Sequence, residues 1–169
     1  AFKCLTVETR GSVLIVRLNG GTHGMMGLAM AEELATFMDR VESDVTINPV
    51  IFTGTHPSRF IGHADVRWLQ EGGASIPKLG RKSAAVVARA SKTARSTLGL
   101  KALAALTPLD GGMQLDKLHD TFSRMNRCGV IFIAALNGSA LGLGSEFAQA
   151  NDLRLMADGD FFIGQPEVL

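Results

Sequence analysis

The sequence predicts an α/β fold, and three observations carry that prediction. The apolar stretch Val130–Leu136 runs straight into a glycine-rich turn, Asn137–Gly144, and the turn opens a helix with a carboxylate, Glu146, in its first turns. Three further segments, Leu5–Arg10, Ser12–Asn19 and Val50–Thr53, alternate or run apolar between turn residues, which is the strand signature. Between the second and third of these, Leu34, Phe37, Met38 and Val41 recur at helical spacing. Strand patterns that alternate with helical ones imply a layered mixed fold.

Taken in order, the first two strands meet at Gly11, and Asn19-Gly20-Gly21-Thr22 breaks the chain after them. A helix over Leu28–Val41 buries its apolar stripe and turns Glu32, Glu33 and Asp39 to other faces. Asn48-Pro49 precedes the strand Val50–Thr53, and a loop from Gly54 to Pro57 follows it. Asp65 opens a short helical pattern with Trp68 and Leu69. The stretch from Gly72 to Gly112 is rich in Ala, Ser and cationic residues, with a helix expected over Ser83–Leu106. Leu115–Met125 is a further helix, leading to the strand Val130–Leu136.

Composition narrows the function classes. A chain of 169 residues with 46% hydrophobic content can bury a core. No apolar run approaches the ~18 residues of a membrane span, and no cationic start followed by an apolar stretch marks a secretory leader. Cys4 and Cys128 are far apart, so reduced thiols and a cytoplasmic setting are expected. A net charge of +1 argues against nucleic acid as a general partner. One local asymmetry stands out: Lys78, Arg81, Lys82, Arg89, Lys92, Arg95 and Lys101 share a stretch that holds no acidic residue. A solvated helical face is the favoured reading, with contact to ligand phosphates as the other.

Several motifs fail on their most specific element. A dinucleotide fingerprint would place its third glycine at Phe147. A nucleophile elbow around Ser145 would need glycine at Leu143 and Phe147. No Gly-Lys-Ser/Thr follows the turn, and His23, His56, His63 and His119 lack metal-ligand spacing, so no metal site is expected. What remains is Asn137-Gly-Ser-Ala-Leu-Gly-Leu-Gly-Ser-Glu146 with Gly164-Gln-Pro-Glu167. Two carboxylates beside a turn rich in backbone N–H groups suit acid/base work next to an anion-stabilising pocket.

On these motifs the chain resembles the crotonase superfamily, most closely its enoyl-CoA hydratases and isomerases. The resemblance extends to Val50-Ile-Phe-Thr-Gly54 and to Arg59-Phe-Ile-Gly-His-Ala-Asp65, similar to the family's strand and the F-x-x-G-A-D loop after it. It implies a ββα spiral, with residues 1–169 forming the N-terminal portion of the family domain and residues 72–113 a helical insertion. It also implies further glycine-rich and helical segments beyond Leu169, so that this stretch is C-terminally truncated relative to the family.

The resemblance further implies that Glu146 and Glu167 are the two catalytic glutamates and that backbone N–H groups of Ala64 and Leu143 form the oxyanion hole. His63 supplies the first donor instead if the loop register differs. Coenzyme A would lie along Gly62, Ala64, Asp65 and Val66, and along His23, Gly24 and Met25. In that last stretch Gly20-Gly21 replaces the family's Arg-Pro, and Met26 stands where Asn is common. The implied activity is hydration of a 2-enoyl-CoA thioester without metal or redox cofactor, coenzyme A entering only as part of the substrate. An acyl-CoA isomerase, another thioester reaction of the family, or an inactive acyl-CoA-binding or assembly homologue are the alternatives. A homotrimer or hexamer is the implied assembly.

Overall fold

The computed structural model describes residues 1–68 and 110–168. The strands and helices are β1 (Leu5–Arg10), β2 (Val13–Leu18), β3 (Met25–Met26), α1 (Leu28–Ser43), β4 (Val50–Gly54), β5 (Arg59–Ile61), β6 (His63–Ala64), α2 (Asp110–Met125), β7 (Phe132–Leu136), β8 (Ser139–Leu141), α3 (Leu143–Gln149), β9 (Leu153–Met156) and β10 (Ile163–Gly164). Single 3₁₀ turns cover Gly21–His23 and Pro166–Val168. The expected helix over Ser83–Leu106 and the basic run Lys78–Lys101 lie outside the described residues, as does nearly all of the expected insertion at 72–113.

The chain forms two compact units, one of Ala1–Asp65 with Leu118–Leu169 and the other of Val66–Lys117. In the second, the described residues include Trp68, whose indole N–H donates to Gln114 Oε1 at 2.7 Å.

In the first unit the strands that follow the β1–β2 hairpin alternate between one larger sheet and two smaller ones. The larger sheet has the order β1-β2-β4-β7-β9. Its β1–β2 hairpin is antiparallel, joined at Gly11 with φ +62°, and every later pairing is parallel. The smaller sheet, β10-β8-β5, is parallel throughout, and β3 pairs with β6 beside it. Parallel neighbours require a crossover connection, and here the crossovers carry the strands of the smaller sheets. The smaller strands did not emerge from the sequence pattern, which showed only loop and glycine turn at those positions.

Apolar side chains between the layers form the core. Helix α1 contributes Met30, Leu34, Phe37, Met38 and Val41, all buried, and α2 contributes Leu118, Phe122 and Met125. Both sets follow the i, i+4, i+7 stripe expected of a helix packed on one face. Rings link the layers: Phe37 meets Phe52 edge-on at 5.9 Å, Phe52 meets Phe147 at 5.0 Å, and Phe147 stacks on Phe60 at 5.9 Å. Such pairs contribute about 0.5–1.5 kcal/mol beyond the area they bury.

Helix α2 begins at Asp110, five residues before the expected Leu115, and β7 begins at Phe132 rather than Val130. Glu33, expected on an outer helix face, instead turns its carboxylate to the chain start. It accepts from the backbone N–H groups of Lys3, Cys4 and Leu5 at 2.7, 2.8 and 3.1 Å. Burial, and then the Glu33 charge, push the Cys4 thiol above its ordinary value.

Candidate active site

The loop after β4 is fixed first. Asn137, at the end of β7, accepts from the Gly54 N–H at 2.8 Å and donates to His56 O at 2.6 Å. Gly138 lies so close to this loop that a Cβ there would overlap the Ser58 carbonyl. One amide side chain and one glycine thus bind the strand-end loop to the glycine turn.

That loop then returns as β5 and β6. Gly62 N–H donates to Gly24 O at 2.7 Å, Asp65 N–H donates to Met26 O at 2.8 Å, and Arg59 reaches His23 O at 2.7 Å. The two stretches read as coenzyme A contacts, His23–Met25 and Gly62–Asp65, therefore lie side by side; Val66 opens the second unit.

The glycine turn supplies the other half. Gly142 has φ +50° and ψ −124°, and α3 starts on the next residue with no side chain capping it. The first hydrogen bond of the turn runs from Glu146 N–H to Gly142 O at 3.0 Å. Leu143, as the first helical residue, has no carbonyl four positions back to receive its N–H. Helix α3 packs against β5 and β6, and Gly144 makes the approach possible, since a Cβ on it would overlap the Ile61 carbonyl.

The segment Gly164–Glu167 is docked on the same turn. β10 pairs with β8, Gly142 N–H donates to Gly164 O at 2.9 Å, and Gln165 Nε2 donates to Gly142 O at 3.4 Å. Glu167 follows in the 3₁₀ turn and lies against Gly142, where an added Cβ would overlap its Oε1.

Each of the two glutamates has a histidine partner, which the sequence pattern did not show. His63 Nε2 lies 2.5 Å from Glu167 Oε1. His119 Nε2 lies 3.2 Å from Glu146 Oε2, its ring edge-on to Phe122. Both carboxylates are partly exposed, and Glu146 stands one helical turn from Gly142. Among the described residues, no cluster of three or more His, Cys, Asp or Glu side chains is arranged to hold a metal ion. No helix among them is long and apolar enough to cross a membrane.

No family model matches the chain. Among curated proteins it is 26% identical to the fatty acid oxidation complex subunit alpha of Idiomarina loihiensis, over 98% of this chain and 19% of that protein. It is 29% identical to ethylmalonyl-CoA decarboxylase of Xenopus tropicalis, over 84% of this chain and 49% of that protein. Among solved structures, an enoyl-CoA hydratase of Geobacillus kaustophilus superposes with a TM-score of 0.72 at 22% identity, over 98% of this chain and 50% of the other. An enoyl-CoA hydratase/isomerase of Mycobacterium paratuberculosis gives 0.66 at 21% identity, over 98% and 53%. The chain thus spans about half the length of these structures and a fifth of the oxidation-complex subunit. It shares the fold of these enoyl-CoA hydratase and hydratase/isomerase structures through nearly all of its residues.

Proposed function

We propose that the protein hydrates a 2-enoyl-CoA thioester to the 3-hydroxyacyl-CoA. The observation that supports this reading is the junction at Gly142. There a helix start, whose first residue Leu143 has no carbonyl four positions back in the helix for its N–H, and the Glu167 carboxylate lie around one turn, with Glu146 a helical turn further on. In this reading the thioester oxygen accepts from Ala64 and Leu143 N–H. Those donors stabilise the negative charge that develops on it as the conjugated alkene is attacked. Water adds through its oxygen to C3 and gives a proton to one carboxylate, while the other glutamate, protonated, delivers its proton to C2. The enolate collapses to the thioester as that C–H bond forms, and the two glutamates finish with exchanged protonation. No step requires a metal or redox group, and coenzyme A takes part as the substrate's handle, along His23–Met25 and along Gly62, Ala64 and Asp65.

Both glutamates should matter. In the full protein, Glu146→Gln and Glu167→Gln each keep size and polarity but cannot exchange the proton, so kcat should fall by about 10²–10⁴. Wild-type turnover in both would refute the assignment, and loss in only one would favour isomerisation, which needs a single moving proton. The decarboxylase relatives favour a second reading, loss of CO₂ from a 2-carboxyacyl-CoA, whose enolate would use the same two donors. Two neighbouring glutamates repel such a substrate's carboxylate, which places hydration first. Product analysis with both substrate types separates the two.

A further inference from the structure

The ring of His63 meets oxygen on both sides. Nε2 lies 2.5 Å from Glu167 Oε1, and Nδ1 lies 3.2 Å from the carbonyl of Ala64. A neutral imidazole carries one N–H, so it can donate to only one of these acceptors. The shorter contact, to a carboxylate, is the stronger claim on it, because hydrogen bonds to ionised acceptors are shorter and roughly twice as strong. The ring is also held from below. A Cβ on Gly142 would stand 2.6 Å from both His63 Cδ2 and Nε2, so imidazole, glycine and carboxylate fill one space. The backbone of His63 is itself pinned, in β6 against Met25.

We propose that the His63 side chain is a positioning residue for Glu167. Its Nε2–H donates to Oε1, which fixes the carboxylate's rotamer and leaves Oε2 as the oxygen that exchanges the proton. The role belongs to the imidazole and is separate from any donor on the His63 backbone. This proposal rests on the acid/base role given to Glu167 above. The Glu167 side chain is 41% exposed, and a long exposed side chain samples several rotamers. Catalytic groups need support that locks them near the productive geometry, and the His63 ring is in contact with this carboxylate.

The test compares Glu167→Gln, His63→Ala and His63→Gln in the full protein, by steady-state hydration of a short enoyl-CoA. His63→Ala should lower kcat by about tenfold to a hundredfold, the scale of a reacting group misplaced by an ångström, with KM changed little. Glutamine carries an N–H donor at the tip of a side chain of similar reach, so His63→Gln should recover most of the lost kcat. Wild-type kcat in His63→Ala, with Glu167→Gln impaired, overturns the histidine's role and leaves Glu167 in place. Equal impairment in His63→Ala and His63→Gln also overturns it, since the ring would then be filling space. Wild-type turnover in Glu167→Gln removes the reading of Glu167 and the proposal with it. A measurement that needs no turnover guards against misfolded variants: side-chain ¹⁵N resonances of the histidines. Those of His63 should move in Glu167→Gln while those of His23 and His56 stay, and an unmoved His63 signal overturns the pairing.

Discussion

Replacing Gly142 by alanine tests the junction on which the site depends. Two independent costs arise there. The backbone sits at φ +50°, ψ −124°, a conformation that residues with a Cβ rarely adopt, and holding one in so sparsely populated a region costs about 1–3 kcal/mol. The added methyl also overlaps Glu167 Oε1 and crowds the His63 ring at 2.6 Å. The first cost falls on stability. For a chain of this size each kcal/mol moves Tm by about 2–4 °C, so a drop of roughly 2–12 °C is expected. The second cost falls on activity, because the carboxylate must move off the turn. Gly164, two residues before Pro166, is the matched control: it has no positive φ, and its Cβ would meet nothing within 4 Å. Thermal unfolding and enoyl-CoA hydration of Gly142→Ala and Gly164→Ala read both effects side by side. An unchanged Tm in Gly142→Ala, or equal losses at both glycines, would refute the reasoning.

Other expectations follow from the same structure. Phe147 is fully buried and meets Phe52, Phe60 and Phe122. Phe147→Ala should therefore cost about 3–5 kcal/mol, a large share of the ~5–15 kcal/mol that keeps a domain folded, visible as an early denaturant midpoint; a shift below 1 kcal/mol, roughly, would show that the ring cluster is not the core. Arg124 joins α2 to α1 through Asp39 at 2.6 Å and Glu42 at 2.7 Å. Its hydrogen bond holds the Glu42 carboxyl below the ordinary value, so the unfolded chain binds the proton more tightly than the folded one. That stabilisation is complete above the usual carboxylate range and fades as pH falls through it. Arg124→Ala should thus lower Tm at neutral pH and flatten its decline between about pH 5 and pH 3; parallel Tm curves for the two proteins would contradict this.

The sequence by itself determined the order of the longer strands and helices and the motifs from which a site could be proposed. Both periodicities are local, so Leu5–Arg10, Val50–Thr53 and the α1 stripe could be read without knowing what they touch. The Asn137–Glu146 and Gly164–Glu167 motifs were legible for the same reason: glycines and carboxylates at fixed spacing state a backbone requirement that no distant residue changes. Only the tertiary structure produced the second sheet. Strands of two or three residues, such as Arg59–Ile61, Ser139–Leu141 and Ile163–Gly164, are too short to show a period, and their partners lie about twenty to eighty positions away. The histidine partners were invisible for a related reason. His63 and Glu167 meet because β6, the Gly142 turn and the 3₁₀ turn converge on one point, and His119 reaches Glu146 because α2 packs its Phe122 face on Phe147 of α3. Glu33 likewise looked like a solvated helical carboxylate until the fold set it against the N–H groups of Lys3, Cys4 and Leu5 at the start of β1. Side-chain pairing across the chain is decided by how elements pack, and spacing along one strand or helix carries no record of that.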